Sequence, residues 1–600
     1  MRLLLLLLST ITAQRHSSPW SWVCEEEVCV KARLSEYDTP AVSEEVCSLT
    51  CPPHSLLWPL PMNYTLGSAV TSFNLDLVSV TIPNISQLTQ QRLDEAVIRQ
   101  RSLLGSKGTE GGSSNTVLAI SISGELAMPP PSLSMDEGYT LTVKTVLSTV
   151  QVNIEAATYY GARHAIETLF QLTQWDPFTS QFVILDEAFI QDQPFFPHRG
   201  VSVDTARNFI PPHTIKQLLD SMSYSKMNVF HWHITDTQSF ALELESLPDF
   251  TWYGAYRPDM VYTRADVLDL VEYAAARGIL IIPELDAPAH VGAGWQAVDD
   301  SYVVCLEATP WEQFCVEPPC GQLNPAAAGM FDILETIHAE FLSMFRPSVL
   351  HMGGDEVHFG CWNSSDMIVS WLEERGHGRM EEDFLFIWDY FQQESMERVK
   401  KASTELGLEV PKATLWSSHL TLPEYISYLD PSLYNVQFWV DSTNLDDPTI
   451  KTVAEAGFSM IFSNWDATYL DCGYGHWVTD GNNWCSPYKG WQLIYENDPY
   501  SILEFHGVNN PEEAKKNILG GEVAIWTEQT DYMSLISKIE PRASAYGEKL
   551  WRGPSAGTWR EAETRMVRHR DRLRERGVSA DALVHRWCNQ HAGQCVLPKA

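Results

Sequence analysis

After residue 195, short apolar runs alternate with stretches whose apolar residues repeat at helical spacing. Strands that alternate with helices are typical of a parallel sheet, and eight such units favour a (β/α)8 barrel with loop insertions. An open, doubly wound sheet is the alternative, although no GxGxxG motif opens a helix. The predicted strands are "RGVSVDTARN", "NVFHWHITD", "ILIIPELDAPAH", "VLHMGGDEV", "ATLWSS", "NVQFWV", "FSMIFSNWDATYLD" and "GEVAIWTEQ".

The region before the barrel follows a different pattern. Two runs of alternating polarity, "YTLTVKTV" and "TVQVNIEA", precede the helical pattern "YYGARHAIETLFQLTQW". Two strands followed by a helix indicate a small α+β domain, and the Pro-punctuated "DQPFFPHRG" predicts a boundary near residue 195. The predicted organisation is a signal peptide (1–14), a Cys-rich lead (15–60), the α+β domain (61–195), the catalytic barrel (196–585) and a tail with two cysteines (586–600).

The first residues, "MRLLLLLLSTITAQ", have the Arg, the Leu run and the small residues of a secretory signal peptide. A signal anchor is the alternative reading of this segment, and no other apolar run reaches membrane length.

The 12 cysteines fall in local groups. In an oxidising compartment they would form disulfide bonds, and the zinc-site alternative lacks paired CxxC spacing. Glycosylation sequons occur at Asn63, Asn84 and Asn363.

Composition limits the partners of the chain. Its 600 residues suggest more than one domain. The net charge is -36, from 41 Lys and Arg against 77 Asp and Glu. Such a chain repels nucleic acid and anionic membrane surfaces, so a neutral ligand fits better than a phosphorylated one.

Nearly every predicted barrel strand ends in polar or aromatic residues, which matters because barrel enzymes carry their chemistry at strand C-termini. Tryptophans suit the apolar faces of sugar rings, and carboxylates with Arg suit sugar hydroxyls. This inventory predicts a carbohydrate site. The strand-end residues are Asp204, Arg207, Asp236, Glu284, Asp286, His290, Asp355, Glu356, Trp416, Trp439, Tyr469, Asp471, Trp526 and Glu528.

The pair His231 and His233 in "HWH" offers a different chemistry. Two histidines two residues apart on a strand share a face and could bind a metal, as on the first strand of some barrel hydrolases. Here the pair falls on the second strand, and the further ligands of that arrangement do not stand out. A structural hydrogen-bonding role is therefore favoured, and no metal or cofactor is expected.

The adjacent acids Asp355 and Glu356 raise a question about mechanism. Most glycosidases use two carboxylates about 5–5.5 Å or about 6.5–9.5 Å apart across one bond, whereas neighbours in a strand point to opposite faces. From the residues alone it is therefore open how two adjacent acids serve one reaction and which group acts as the nucleophile.

The segment "HMGGDEVHFGCW" resembles the signature of the family 20 glycoside hydrolases, the β-N-acetylhexosaminidases. The segments "GVSVDTARNF", "MNVFHWHITDTQSF", "IPELDAPAH", "CGQLNP", "GGEVAIWTEQTD" and "PRASAYGEKLW" resemble family segments in the expected order. Two further stretches, "FCVEPPCGQLNP" and the region from "FSNWDATYLDCGYGHW" to "GWQLIYEND", are similar to secreted arthropod members that trim chitooligosaccharides. The resemblance covers essentially the whole chain after the signal and implies a catalytic barrel behind a small α+β domain.

The resemblance implies that the 2-acetamido oxygen of the substrate is the nucleophile and forms an oxazolinium ion, so that two adjacent carboxyls can reach neighbouring groups of one sugar. It also implies a role for each matching residue. Glu356 is the expected general acid and base, Asp355 the anion that holds the acetamide N–H, and Tyr469 the donor to the acetamide oxygen. Arg207 and Glu528 are expected at the 3- and 4-hydroxyls and Asp471 at the 4- or 6-hydroxyl. The expected pocket lining is Trp416, Trp439 and Trp526, the next-sugar site is Trp484, Val316 and Glu317, and the supports of the two acids are Asp236, His290 and Glu284.

The resemblance also implies disulfide bonds, location and partners. The expected activity is exo-cleavage of N-acetylglucosamine from chitooligosaccharides with retention of configuration, by a secreted enzyme that forms a homodimer. A lysosomal location, an N-glycan-trimming hexosaminidase and a non-catalytic sugar-binding barrel are the alternatives. The implied bridges are Cys24–Cys51, Cys29–Cys47, Cys305–Cys361, Cys315–Cys320, Cys472–Cys485 and Cys588–Cys595.

Overall fold

A computed structural model describes residues 18–26, 28–34, 41–51, 57–108, 112–591 and 594–595. The signal peptide predicted at 1–14 and parts of the Cys-rich lead lie outside these ranges. All six disulfide bonds that the resemblance implies are present.

Eleven of the described strands precede the barrel. They are β1 (Trp20–Glu25), β2 (Val28–Arg33), β3 (Asn63–Leu66), β4 (Val70–Phe73), β5 (Val78–Thr81), β6 (Val117–Ser123), β7 (Tyr139–Val146), β8 (Thr149–Glu155), β9 (Thr173–Asp176), β10 (Gln181–Leu185) and β11 (Glu187–Asp192). Strands β1 and β2 form a hairpin, and a six-stranded sheet has the order β3-β11-β7-β8-β6-β5. A three-stranded sheet has the order β4-β10-β9.

The barrel closes through eight parallel strands, as the apolar pattern predicts. Almost every residue of these strands is buried, because the inner face packs in the barrel and the outer face packs against helices. A short antiparallel pair, β15 and β16, lies in the loop before the fourth barrel strand. The eight barrel strands are β12 (His198–Asp204), β13 (Val229–Thr235), β14 (Leu280–Leu285), β17 (Val349–His351), β18 (Lys412–Trp416), β19 (Tyr434–Phe438), β20 (Ser459–Phe462) and β21 (Ile518–Ile525). The loop pair is β15 (Val303–Val304) and β16 (Gln322–Leu323).

The helices cover the outside of the sheets, and their apolar faces complete one core around the barrel and a second core in the N-terminal domain. They are α1 (Glu44–Thr50), α2 (Gln87–Gly105), α3 (Tyr159–Gln171), α4 (Pro212–Tyr224), α5 (Asp249–Gly254), α6 (Arg264–Ala275), α7 (Gly329–Phe345), α8 (Phe359–Asn363), α9 (Asp366–Glu373), α10 (Glu381–Glu405), α11 (Thr449–Glu455), α12 (Trp465–Thr468), α13 (Trp491–Glu496), α14 (Pro499–Phe505), α15 (Pro511–Ala514), α16 (Leu535–Ile539), α17 (Arg542–Arg552), α18 (Trp559–Glu575) and α19 (Arg586–Asn589).

Buried polar contacts join the N-terminal domain to the end of the barrel where the strands begin. Asp192, at the end of β11, accepts from Nζ of Lys226 at 2.9 Å and from Nε1 of Trp551 at 2.9 Å. Lys226 lies just before β13, so the contact is at the N-terminal end of that strand. The opposite end of the barrel, where the strands finish, is therefore left open for a site. None of the helices within the described ranges combines the length and apolar character needed to cross a bilayer.

Candidate active site

Asp355 and Glu356 lie on an irregular loop and not in a strand. Strand β17 ends at His351, and the loop then takes left-handed conformations at Gly353 (φ +62°), Gly354 (φ +86°) and Glu356 (φ +51°). A Cβ on Gly353 would lie 1.8 Å from Oδ1 of Asp286, so only glycine fits there. The strand rule that sends neighbours to opposite faces therefore does not apply to the two acids.

The Asp355 carboxyl is buried at the base of a cavity. Burial raises the pKa of Asp355 to about 6, the charges of Glu356 and Glu284 add to the rise, and His290 opposes it. Asp286 lies beside it, and burial together with the charge of Asp355 raises the pKa of Asp286 well above its usual value. A protonated Asp286 can donate to the Asp355 carboxylate, while its Oδ1 accepts from the Gly354 N–H at 2.9 Å. The pair thus shares one negative charge next to the pocket.

Glu356 is held by an imidazole. Nε2 of His290 lies 3.3 Å from Oε2 of Glu356, and Nδ1 lies 3.2 Å from Oδ1 of Asp236. Burial disfavours a charged imidazole, but the charges of Asp236 and Asp286 outweigh this and raise the pKa of His290 well above its usual value. Asp236 and His290 therefore support Glu356, as the resemblance implies.

Arg207 lies at the other side of the cavity and is held by two carboxylates. Its guanidinium lies 3.0 Å from Oδ2 of Asp236 and 2.7 Å from Oε1 of Glu317. Glu317, which the resemblance places in the next-sugar site, thus reaches back to a residue of the first-sugar site. A sugar hydroxyl bound by Arg207 would either displace the Glu317 carboxylate from the guanidinium or bind beside it.

Three more predicted residues converge on the same cavity. Burial raises the pKa of Tyr469 well above its usual value, so its hydroxyl remains a donor. Burial raises the pKa of Asp471 to about 6 and that of Glu528 well above its usual value. Arg207 opposes the rise at Glu528. These groups can exchange hydrogen bonds with sugar hydroxyls in either protonation state.

Aromatic side chains form the walls of the cavity. The Tyr469 ring lies 6.1 Å from Trp484 and 6.1 Å from Trp526, both edge-to-face. Trp439 meets Trp484 at 6.4 Å, also edge-to-face. Trp484 remains 57% exposed, so most of its ring is free to contact a ligand.

Trp416 does not line the pocket, contrary to the expectation. Its side chain is only 1% exposed, and it is not among the lining residues of the cavity. Its Nε1 donates to Oε1 of Glu284 at 2.8 Å, which holds the indole beneath the pocket. Glu284 likewise lies deeper than expected. It contacts imidazoles inside the barrel and neither Asp355 nor Glu356 directly.

The cavity has a volume of about 380 Å³. Asp286 is among the predicted strand-end residues, but no role is predicted for it. Its place two residues after Glu284 is a usable signal. Other lining residues come from long loops, whose paths the apolar pattern does not predict. These additional residues are Trp311, His476, Trp477, Val478, Asn483, Gln529, Thr530 and Lys538.

Disulfide bonds fix two of the loops that form the cavity. Cys315–Cys320 closes a short loop that contains Val316 and Glu317. Cys472–Cys485 closes the loop that contains Trp477 and Val478 and ends beside Trp484. A crosslinked loop has fewer conformations to lose, so these side chains are held near the mouth before a ligand arrives.

His231 and His233 do not face the cavity. Nδ1 of His231 lies 3.0 Å from Glu522 and Nε2 lies 2.9 Å from Glu284. His233 is placed in the same way, between Glu284 at 2.7 Å and Asp236 at 2.8 Å. His233 has a carboxylate hydrogen-bond partner at each ring nitrogen. His231 has one at Nδ1, and its Nε2 lies within ion-pair distance of Glu284.

A barrel with two acids, a tyrosine and tryptophans at its strand C-termini has the features of a glycoside hydrolase. A model of the catalytic domain of glycosyl hydrolase family 20 matches residues 196–554, and a model described as beta-acetyl hexosaminidase like matches residues 57–172. The chain belongs to glycosyl hydrolase family 20, which confirms the resemblance. It is therefore an enzyme of the β-N-acetylhexosaminidase type.

Relatives of known activity cover nearly the whole chain. The chitooligosaccharidolytic β-N-acetylglucosaminidase of Bombyx mori is 39% identical over 97% of this chain and 96% of its own length. The enzyme of the same name from Ostrinia furnacalis is 39% identical over 96% of this chain and 95% of its own. The solved structure of a chitobiase from Flavobacterium johnsoniae has the same fold, with a TM-score of 0.68, 24% identity, and coverage of 87% of this chain and 73% of that one.

Proposed function

We propose that the enzyme removes terminal N-acetylglucosamine from the non-reducing ends of chitooligosaccharides, with retention of configuration. The observation that carries the proposal is a small buried pocket continuous with an exposed tryptophan, Trp484. The volume of the pocket is near the lower end of the range of about 300–1,000 Å³ for ligand sites, which suits the end of a chain. Two relatives with full-length similarity carry a name that describes this activity.

The first chemical step uses the acetamido group of the substrate as the nucleophile. The acetamide oxygen attacks the anomeric carbon, the glycosidic bond breaks, and Glu356 gives its proton to the leaving oxygen. Asp355 holds the acetamide N–H and stabilises the positive charge of the oxazolinium ion that forms, and Tyr469 donates to the acetamide oxygen. Burial strengthens both interactions because few water molecules screen them.

The second step reverses the first with water in place of the leaving group. Glu356, now a carboxylate, takes a proton from a water molecule that attacks the anomeric carbon and opens the ring intermediate. The two inversions at that carbon give net retention. Asp355 and Glu356 can both serve one sugar because the left-handed loop brings them to one cavity.

The next sugar of the chain would lie on Trp484. A flat, extended chain of sugars benefits from an indole platform, whose ring contacts the C–H face of the pyranose. Arg207 and Glu528 would bind the terminal sugar, and Val316 with Glu317 would border the second. This arrangement favours chitooligosaccharides over branched N-glycans.

Secretion, glycosylation and dimerisation are part of the proposal. The sequons at Asn63, Asn84 and Asn363 are all exposed and so accessible to modification. Six disulfide bonds are consistent with an oxidising compartment. A homodimer is expected from the arthropod resemblance.

The test compares chitobiose, chitohexaose and a biantennary N-glycan with terminal N-acetylglucosamine. We expect kcat/KM for both chitin fragments to exceed that for the N-glycan, with release of the β-anomer detected by NMR. A preference for the N-glycan would replace the proposed substrate, and no release from any of the three would overturn the proposed activity in favour of a binding role.

A further inference from the structure

A continuous row of alternating imidazoles and carboxylates runs through the inside of the barrel to Glu356. We name it the axial chain. Its members, in order, are His198, Glu522, His231, Glu284, His233, Asp236, His290 and Glu356. Consecutive members are 2.6, 3.0, 2.9, 2.7, 2.8, 3.2 and 3.3 Å apart.

Each internal imidazole bridges two carboxylates through its two ring nitrogens. Nδ1 and Nε2 of His231 contact Glu522 and Glu284, respectively. The same holds for His233 between Glu284 and Asp236, and for His290 between Asp236 and Glu356. His233 is hydrogen-bonded at both ring nitrogens, whereas His231 is hydrogen-bonded at Nδ1 and lies within ion-pair distance of Glu284 at Nε2. These contacts restrict rotation of the rings, so the position of each member depends on the one below it.

The lower half of the axial chain does not reach the cavity. His198 begins β12 and Glu522 lies in β21, toward the end of the barrel that faces the N-terminal domain. His198, Glu522, His231 and Glu284 are almost completely buried, and none of them lines the cavity. The presence of these four ionisable side chains in the barrel interior therefore requires an explanation other than substrate contact.

Stability alone does not account for these charges. Barrel interiors are usually filled by layers of Val, Ile and Leu. Buried ion pairs often stabilise a protein no better than apolar residues of the same volume, because each charge must leave water. A row of charged groups that ends on the general acid instead suggests that its arrangement serves the reaction.

We propose that Glu522 and His231 are positioning residues for catalysis and act on Glu356 through Glu284, His233, Asp236 and His290. The proposal rests on the proposed function, because it assumes Glu356 to be the general acid. The axial chain fixes the orientation of the His290 ring and maintains alternating charge along its length. His290 in turn fixes the Glu356 carboxyl that gives up the proton.

The protonation of the members supports alternating charge. Glu522 and Glu284 outweigh burial and raise the pKa of His231 to about 9. The imidazoles outweigh burial at Glu284 and lower its pKa well below the usual value. Glu284 also accepts from Nε1 of Trp416 at 2.8 Å, and Nδ1 of His351 lies 3.0 Å from its Oε1.

The test uses Glu522→Gln and Glu284→Gln, which keep side-chain length and remove one negative charge. In wild type, Arg207, Asp236, Asp286 and Asp355 face His290 or Glu356, and both variants retain them. Loss of an anion lowers the proton affinity of the groups nearby. The alkaline limb of the kcat/KM profile should therefore move to lower pH.

We expect a graded result measured on an aryl N-acetyl-β-glucosaminide. Glu522→Gln should lower kcat by about 10-fold and Glu284→Gln by up to about 100-fold, since small misplacements of a catalytic group have effects of this size. KM should change little because none of these residues contacts substrate. The shift of the alkaline limb should be larger for Glu284→Gln, which is nearer to Glu356 along the axial chain.

The matched control is His338→Gln. His338 is a buried imidazole on α7 with no hydrogen-bond partner among the described residues, so it is equally internal but outside the axial chain. We expect wild-type kcat and pH profile in this variant, even where its melting temperature falls.

Three results would overturn the proposal: a folded Glu522→Gln with wild-type kcat and pH profile, equal effects in His338→Gln, or lower kcat with an unshifted alkaline limb. The last would reduce the role of the axial chain to packing. If Glu284→Gln does not fold, Glu522→Gln alone decides. Inactivity of the wild-type enzyme toward N-acetylglucosaminides would count against the proposed function and not against the positioning role specifically.

Discussion

Nε2 of His290 lies 3.3 Å from Oε2 of Glu356. This contact orients one carboxyl of the adjacent acid pair toward the cavity, while its neighbour, Asp355, is oriented by Asp286 below. The two acids therefore have different partners although they are consecutive in the chain. Different partners allow different roles, one in proton transfer and one in charge stabilisation.

Replacement of Glu356 by Gln should abolish general acid catalysis and leave the fold intact. We expect kcat on chitobiose to fall by about 10²–10⁴-fold, the usual contribution of a positioned acid or base. The loss should be smaller for an aryl glycoside with an acidic phenol, because such a leaving group needs little protonation. Steady-state kinetics on the two substrates measures the difference.

The control for this variant is Glu373→Gln, which changes an exposed glutamate on α9. Its kinetics should match those of wild type. Equal losses of Glu356→Gln on both substrates would argue against a role for Glu356 in protonating the leaving group.

Replacement of Asp355 by Asn should change activity and stability in opposite directions. The variant loses the anion that stabilises the oxazolinium ion, so kcat should fall by about 10²-fold or more. Its free energy of unfolding at pH 7 should rise, because burial raises the pKa of Asp355 from 3.8 to about 6. A shift of about two units corresponds to roughly 3 kcal/mol of opposition to the buried charge.

The sign of the pH dependence follows from that raised pKa. Between pH 4 and 6 the folded Asp355 holds a proton that the unfolded chain has released, so wild type loses stability as the pH rises through this window. Thermal unfolding from pH 4 to 7 should therefore show the advantage of Asp355→Asn growing with pH and vanishing near pH 4. An advantage that does not change with pH would show that the charge of Asp355 is not its source.

Replacement of Trp484 by Ala should weaken binding of chitooligosaccharides without impairing cleavage itself. We expect KM for chitohexaose to rise by about 5- to 30-fold, as for loss of one stacking contact of about 1–2 kcal/mol. An aryl N-acetyl-β-glucosaminide lacks a second sugar, so its kcat should stay near wild type. Trp252→Ala is the control, since Trp252 is 79% exposed and not among the cavity-lining residues. Equal effects on both substrates would contradict the platform role.

The strand pattern of the barrel could be predicted from sequence because each strand is a short, mostly apolar run that is followed by polar or aromatic residues. Each of the eight predicted runs overlaps an observed barrel strand. The residues that gather at the strand ends could be predicted for the same reason.

The direction in which the Trp416 side chain points could not be predicted from its place at a strand end. A tryptophan at a strand end can face up into the pocket or down onto a buried carboxylate, and only the position of Glu284 decides between them.

The axial chain could not be predicted from the sequence. His198, Glu522 and His231 lie on three different strands, and their contact depends on the stagger of β12, β13 and β21 around the barrel. The pattern alone gave His231 and His233 as an ambiguous pair, either metal ligands or structural groups. Two of their carboxylate neighbours, Glu284 and Glu522, come from distant parts of the chain, so these contacts could not be read from the local pattern.

Replacement of Gly353 by Ala should reduce activity through a steric effect on the acid pair. The glycine has φ +62°, and a Cβ there would lie 1.8 Å from Oδ1 of Asp286. Asp286 would have to move, and Asp355 would lose the group that orients it. We expect kcat on chitobiose to fall by about 10²-fold, as for a displacement near 1 Å.

Gly376→Ala is the matched control: it has φ +81° and nothing within 4 Å of the added Cβ. Both variants bear the left-handed strain of about 1–2 kcal/mol, and only Gly353→Ala adds the clash with Asp286. A larger drop in melting temperature and a loss of kcat that occur only in Gly353→Ala would therefore isolate the contact with Asp286. Wild-type kcat in a folded Gly353→Ala would show that the position of Asp286 does not control Asp355.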